Sequence, residues 1–434
     1  MNLRFSLKGP LCVLLLALSL TFVANAQNMD GIERARMKAM LKMIKDDIKK
    51  SYYDASFHGI DLEEKFKKSE DRLGQVQTTP EALGVIAQTL IDFNDSHLYF
   101  IPPIRNIAVE YGWRIYAIGD KTYVTAVKPG SDASKQGLKV GDQVVAINGF
   151  RPARSELWKM LYYYNAISKH SRMALDVLSP GDSEPHRVEI SSEVKTKPQK
   201  ITFETYFRLD NDFDYIENYK HRFFTVGPIN IWRMPDFELD PGDVDSAVGH
   251  LEKHAPLILD LRGNGGGYVK ALEELAGYFS DKDVQIAQLK GRKAMDPMLA
   301  KTHGKDLLTG KVVVLVDSRS ASAAEILARL LQIQGRGIVI GDRSAGAVMQ
   351  AQSFSEHMGT DSVIPFGVSV TNADVIMSDG KSLEHEGVVP DELIIPTAAD
   401  LAAGRDPVLA RAVEILGGKI DPAEAGKMSQ FYWK

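Results

Sequence analysis

The chain has 434 residues, a formal net charge of −5 and a single cysteine, Cys12. At roughly 150 residues per domain, that length suggests about three domains, or one large domain with additions. A composition of 44% hydrophobic and 25% charged residues excludes disorder as the dominant state; the mild acidity gives no global field for nucleic acid, and one cysteine excludes an internal disulfide framework and a cysteine-based zinc site.

Residues 1–26 read as an export signal. Arg4 and Lys8 make a positive start, Leu11 to Val23 is apolar, and Ala24-Asn25-Ala26 places small residues at the two positions a signal peptidase reads. Cleavage is expected before Gln27. The apolar run is shorter than the ~20 residues a membrane-spanning helix needs. Removal leaves an acidic, cysteine-free chain, periplasmic or secreted, whose stability rests on core burial. Cys12 is not preceded by the small residues of a lipoprotein box, so no lipid anchor is expected.

Residues 30–92 carry helical periodicity, with Met37, Met40, Leu41, Ile44 and Ile48 near a 3.6-residue repeat. A second helical stretch is expected to start with Thr79 as N-cap and Pro80 at the first helical position, and to run to about Phe93. Pro102-Pro103 then break any helix. The segment 107–195 is different. "TYVTAV" (122–127), "MALDVLS" and "HRVEIS" alternate like strands, and a helix is expected over 153–169. From 225 to 400 short apolar runs of buried-strand type, "PLILDL" (256–261), "VVVLV" (312–316) and "GIVIGD" (337–342), are followed by small residues and helical patterns. Such strand–loop–helix units build sheets that hold ligands at their strand ends. A last helix is expected over 406–416. The fold class is therefore α/β (α+β multidomain). The expected division is a signal peptide at 1–26, a helical region at 27–104, a β-rich module at 105–195, a core of mixed sheet with flanking helices at 196–420, and a tail at 421–434.

Two segments carry the chemistry. "LDLRGNGGGYVKALEELAGYF" (259–279) sets a glycine cluster between a buried strand and a helix. Glycines there let a backbone approach a ligand and aim N–H groups at it. The cluster lacks the Lys-Ser/Thr ending of a P-loop and the spacing of a dinucleotide fingerprint; a structural tight turn is the other reading. In "VVVLVDSRSASAAEILARLL" (312–331) a buried strand ends at Asp317 and a helix begins near Ala323. Ser322 with Glu325 forms an S-x-x-E capping box. The alternative is a nucleophile on a strand-to-helix turn, where the next N–H and the helix dipole stabilise an oxyanion.

These segments, with "VGPINIWRMPDF" (226–237), "GRGIVIGDRSAG" (335–346) and "EHEGVVPDELI" (384–394), resemble in order the S41 serine peptidases, the family of C-terminal processing peptidases and the tricorn core protease. Residues 123–152, "YVTAVKPGSDASKQGLKVGDQVVAINGFRP", resemble the PDZ domain many members insert. The resemblance implies a ClpP/crotonase-like S41 core with Ser322 as nucleophile. Many processing peptidases use a lysine as base, but here Ala347 of "SAGAVMQ" stands at its position, and no lysine lies between Lys311 and Lys381. "NDSHLYF" (94–100) resembles the segment carrying the catalytic histidine in the tricorn-like branch, which implies His97 as base. The same branch implies Glu384, three residues before Gly387, as its carboxylate partner. His385 as base and Glu386 as acid are the alternatives. A neutral serine is a poor nucleophile near pH 7, so a base titrating near 7 is required.

The implied oxyanion hole uses the Ala323 N–H with that of Gly266, then Gly265. Asp95, Ser96 and Asp317 are assigned structural roles, and Arg262 is expected to pair with a carboxylate. The PDZ-like module would bind peptides by strand addition, their C-terminal carboxylates at the turn Tyr111-Gly112-Trp113. The resulting expectation is an exported serine protease acting on polypeptides through their C-termini, with no metal and no organic cofactor implied, no nucleic-acid partner and no stable membrane anchor after cleavage. A catalytically inactive S41-like peptide-binding protein and a PDZ scaffold remain open at this point. Oligomeric state is not legible.

Overall fold

A computed structural model describes residues 29–103, 107–196, 220–359 and 363–433. The export-signal reading and Cys12 lie outside these residues. Three helices open the described chain. Gly31–Ser51 is capped by Asp30 and buries the predicted stripe Met37, Met40, Leu41, Ile44 and Ile48. Leu62–Gln75 is capped by Asp61. The third, Thr79–Ile91, starts one residue earlier than the sequence suggested, with Thr78 as N-cap. Glu81 decides this: its carboxylate accepts from the Thr78 N–H at 3.0 Å, and that reciprocal box needs a cap three residues upstream.

The segment 113–191 folds as an antiparallel five-stranded sheet in the order Trp113–Ile118, Lys121–Val127, Gln143–Ile147, Arg172–Leu178, His186–Ser191. A short pair, Ile107–Glu110 with Glu193–Thr196, closes its base. The expected helix over 153–169 is α-helical only at Leu157–Tyr162 and continues as a widened π-type turn, Tyr163–Ile167. Two cores compete for it. Tyr162 packs in the core of the N-terminal helices and its hydroxyl donates to Phe100 O at 2.5 Å, whereas Tyr164 packs in the core of the five-stranded sheet. A π-bulge turns both rings to their own sides.

The core contains a six-stranded sheet in the order Glu392–Leu393, Gly337–Gly341, Val312–Val316, Leu257–Asp260, Ile229–Arg233, Arg222–Val226. All neighbours pair in parallel except the last two. Val312–Val316 is buried throughout because alternate residues face opposite layers. Val312, Val314 and Val316 join the helices Val269–Gly277 and Ala323–Ile333, while Val313 and Leu315 join the helix Pro407–Ile415. A further helix, Pro422–Ser429, follows, started by Asp421 and a proline in the first turn.

A second sheet is antiparallel and holds Tyr99–Ile101, Ile364–Met377, Val284–Lys290, Met298–Ala300 and Met349–Met358. Tyr99–Ile101 pairs with Ser369, Val368 and Gly367. That pairing brings the segment just before it, 94–98, against the core.

Candidate active site

Ser322 follows the strand Val312–Val316 and is the N-cap of the helix Ala323–Ile333. Its backbone lies at φ 53°, ψ −118°, a conformation that costs a non-glycine residue about 1–3 kcal/mol and persists only where its surroundings impose it. The surroundings are specific. The Ser322 N–H donates to Ala347 O at 2.9 Å and to Glu325 Oε2 at 3.1 Å. Asn264 O accepts from the Ala321 N–H at 2.9 Å. The residue is therefore both a helix cap and the apex of a strained strand-to-helix turn.

Glu325 is fully buried on the first turn of that helix and gathers four donors: Ser344 Oγ at 2.5 Å, the Gly346 N–H at 2.8 Å, the Ala347 N–H at 3.0 Å and the Ser322 N–H. Burial pushes its carboxyl up to about 7, against the pull of those donors. The Ser344 hydroxyl also accepts from the Val388 N–H at 2.5 Å. One carboxylate thus ties the serine turn to the loop 344–347, and through Ser344 to the segment carrying Glu384. The sequence showed Glu325 only as a cap.

His97 sits just before the strand Tyr99–Ile101. Buried Asp95 fixes the turn: Oδ1 accepts from the His97 N–H at 2.9 Å, the Leu98 N–H at 3.1 Å and Thr371 Oγ1 at 2.6 Å, and Oδ2 from Tyr52 Oη at 2.9 Å. The His97 ring contacts Ser96, its Nδ1 lying 2.8 Å from Ser96 Oγ. That hydroxyl donates to Glu384 Oε2 at 2.8 Å, and the Ser96 N–H donates to Glu384 Oε1 at 2.9 Å. Glu384 Oε2 also accepts from the Val348 N–H at 2.8 Å. Glu384 thus reaches His97 through Ser96, a residue given a turn role from sequence. Its position beside His97 was visible, but a side-chain relay is a property of orientation. With Glu384 ionised, the Ser96 proton points to the carboxylate and the His97 Nδ1 must donate, which leaves Nε2 as the acceptor nitrogen. Burial lowers the His97 pKa below its ordinary value, partly opposed by Asp95, and raises that of Glu384.

The neighbouring segments join the two halves. Ala347 accepts from Ser322, and the next residue, Val348, donates to Glu384. The Ser322 hydroxyl and the His97 ring make no hydrogen bond with each other, the ring nitrogen in contact being bound to Ser96. His385 is half exposed, with Nε2 3.7 Å from Glu384 Oε1 and 3.4 Å from Asn94 Nδ2. Glu386 is exposed.

The glycine cluster lies against the serine. Gly266 has φ +95°, and a Cβ added there would stand 2.7 Å from Ser322 Cβ and 3.1 Å from Ala323 N. The Gly266 N–H donates to Asn264 Oδ1 at 2.8 Å, and Asn264 is itself held by Met234 O at 3.0 Å through Nδ2. Gly265 is exposed, and Ala323 opens the helix, where a first-turn N–H lacks an intrahelical acceptor. Gly266→Ala is expected to lower kcat/KM at least a hundredfold while the protein stays folded, checked by steady-state kinetics beside a thermal melt. Both the added methyl and the backbone conformation oppose it. Arg262 forms bidentate pairs with Asp260, at 2.8 Å through Nε and 2.8 Å through Nη2, and with Asp406, at 3.0 and 2.8 Å. Asp317 Oδ1 accepts from the N–H groups of Gly263, Arg319 and Ser320. Arg262 thus pairs with carboxylates, and Asp317 accepts turn N–H groups at the strand end. Among the described residues, Asp245, Glu274 and His303 stand close enough together to hold a metal ion; none belongs to this group.

On a mixed α/β core the structure thus sets a strained serine at a helix start against a glycine loop, and joins that turn through Ala347 and Val348 to the Glu384–Ser96–His97 relay. Residues 226–394 match the model of peptidase family S41, and residues 109–156 match a PDZ domain. The chain therefore carries an S41 peptidase region at 226–394 and a PDZ region at 109–156. It is 29% identical over 316 residues to carboxy-terminal processing protease CtpB of Bacillus subtilis, a match covering 70% of this chain and 60% of that relative. It is 25% identical over 409 residues to a carboxyl-terminal-processing protease of Picosynechococcus, covering 90% and 91% of the two chains. The solved structure of mature CPAF complexed with lactacystin superposes with a TM-score of 0.62 at 12% identity, covering 91% of this chain and 98% of that one; that likeness concerns the fold.

Proposed function

We propose that this chain is an exported peptidase that hydrolyses peptide bonds of polypeptides with Ser322 as nucleophile, His97 as general base and Glu384, acting through Ser96, as the group that orients the imidazole. The observation that carries the reading is the continuous path from the strained Ser322 turn through Ala347 and Val348 to Glu384, Ser96 and His97. Catalytic hydrogen bonds are often long in unliganded sites and tighten when substrate binds, so the serine and the ring meet in the substrate complex. Ser322 Oγ adds to the scissile carbonyl as its proton passes to His97 Nε2. The oxyanion is held by the Ala323 N–H and by a glycine N–H of the 263–267 loop. Gly266 lies against Ser322 but has its N–H on Asn264, so it serves only if that bond turns; Gly265 is the other donor. A typical donor is worth about 3 kcal/mol of barrier. The tetrahedral adduct collapses to an acyl-enzyme as His97 protonates the leaving amine, and water, deprotonated by His97, releases the new carboxyl end.

In this reading residues 1–26 direct export and are removed before Gln27, which N-terminal sequencing of the exported protein tests directly; a first residue other than Gln27 would refute the boundary. The PDZ domain, taken as 105–195, receives polypeptide C-termini at Tyr111-Gly112-Trp113. The test of function is digestion of a denatured polypeptide by the wild-type chain and by Ser322→Ala. Cleavage by the first alone supports the reading; cleavage by neither returns the chain to the class of peptide-binding proteins. Protonated His97 cannot accept the serine proton, so kcat/KM falls as pH falls. Because burial lowers the His97 pKa, the midpoint of that fall is expected below the ordinary histidine value of about 6.5. A midpoint well above 7 would point to another base.

A further inference from the structure

The polypeptide-binding edge of the PDZ domain has a resident neighbour within the same chain. After the helix Pro422–Ser429 the chain leaves regular structure, and residues 431–433 each set an aromatic ring against a cation. The Phe431 ring lies 4.4 Å from the Arg114 guanidinium carbon, Tyr432 5.5 Å from that of Arg222, and Trp433 5.9 Å from Lys128 Nζ. The Phe431 and Trp433 rings meet edge to face at 4.9 Å.

The two outer cations are not arbitrary surface residues. Arg114 stands on the strand Trp113–Ile118 and lines a cavity of about 140 Å³ between that strand and the segment carrying Leu161 and Tyr164. Lys128 lines a second cavity of about 340 Å³. Tyr111 and Gly112 line both, so the two cavities adjoin at the turn proposed to receive peptide ends. Phe431 and Trp433 therefore each stack on a cation that lines one of these adjoining cavities. Residues 431–433 lie outside any strand, and Phe431 and Trp433 meet the module through ring–cation contacts, which exchange more readily than a backbone ladder.

We propose that the segment Phe431-Tyr432-Trp433 is a built-in ligand of this edge, with Arg114 and Lys128 as its receptors for alternate aromatic side chains, and that an incoming polypeptide must displace it. The inference rests on the reading of the PDZ domain as a polypeptide-binding module and adds the ligand class: segments with aromatic residues two positions apart. A tethered segment acts at an effective concentration on the order of 1 mM. A tail whose own Kd is about 0.1 mM would then weaken a competitor about tenfold. The same edge touches the catalytic loop. Arg319 lines the first cavity and stacks on Tyr116 at 4.3 Å, and the Ser318 hydroxyl donates to Ala117 O. The strand that carries Arg114 is therefore bonded to the segment that leads to Ser322.

The test uses a fluorescein-labelled peptide copying residues 425–434, titrated by fluorescence anisotropy into the full chain carrying Ser322→Ala, so that hydrolysis plays no part. Phe431→Ala/Trp433→Ala, made in that background, should bind the peptide about tenfold more tightly than the chain with its own tail. Adding Arg114→Gln to the double variant should abolish the gain. A peptide with alanine for all three aromatic residues should bind neither. A truncation after Ser429 repeats the measurement, and a thermal melt confirms that each protein is folded. Equal affinity with and without the tail rings, or no binding to any of the proteins, overturns the proposal. Loss of polypeptide cleavage in the active chain would instead count against the catalytic reading and leave these binding results standing.

Discussion

Replacing His97 by alanine is expected to lower kcat/KM at neutral pH about 10⁴-fold, while His385→Ala leaves it within a few-fold. The large figure is that of removing the base from a serine–histidine pair, which spares the residual catalysis of oxyanion stabilisation and binding. The contrast follows from placement. His97 is turned by Ser96 so that Nε2 is its free acceptor, whereas His385 is half exposed and touches Glu384 and Asn94. Ser96→Ala is expected to fall between, about 10–100-fold down, because it unlinks Glu384 from the ring without removing the base. Groups that act as a unit are non-additive, so Ser96→Ala/His97→Ala should be no slower than His97→Ala alone. Steady-state kinetics on one polypeptide substrate settle all four variants. A double variant slower by the full product of the single losses would separate Ser96 from the histidine, and full activity in His97→Ala would make another group the base.

Glu325→Ala is expected to lose about 3 kcal/mol of stability and at least a hundredfold in kcat/KM. Its carboxylate meets three backbone N–H groups and a hydroxyl in a site closed to solvent, and each donor stranded there costs about 1–3 kcal/mol unless water enters. The activity loss follows because the same bonds fix the Ser322 turn and the loop that contacts Glu384. Denaturant unfolding and kinetics measure the two effects. A pH series adds the sign. The folded pKa of about 7 lies above the ordinary 4.5, so the folded state favours the protonated carboxyl. Stability from this group is fully present below about pH 4.5 and is lost as pH rises through about 7. The stability difference between the wild-type chain and Glu325→Gln should therefore shrink in favour of the variant across that window. A difference independent of pH would mean that Glu325 stays ionised, held by its four donors.

Much of this site could be read from the chain because its parts are local patterns. The buried run Val312–Val316 followed by small residues forces a strand-to-helix turn at Ser322, and the run Leu257–Asp260 before the glycines does the same at Gly266. The stripe of the helix Gly31–Ser51 and the strands Lys121–Val127, Arg172–Leu178 and His186–Ser191 were equally legible, since periods of 3.6 and 2 are written residue by residue. What escaped depends on partners far away in sequence. Ser96 bonds to a residue 288 positions later, and Glu325 reaches the loop at 344–347 as well as its own helix end. The helix expected over 153–169 broke at Tyr163 because Tyr162 and Tyr164 belong to different cores, a demand no local pattern announces. The helix Pro422–Ser429 lay in a segment read as tail, although Asp421-Pro422 is a clear start signal.

The account stands on one event, activation of the Ser322 hydroxyl by the His97 ring. The most direct measurement is peptide mapping of the adduct left by a fluorophosphonate on the wild-type chain and on His97→Ala. The account predicts a single adduct on the peptide containing Ser322, formed quickly in the wild type and far more slowly without His97. An adduct on any other serine, or equal rates in the two proteins, would contradict it.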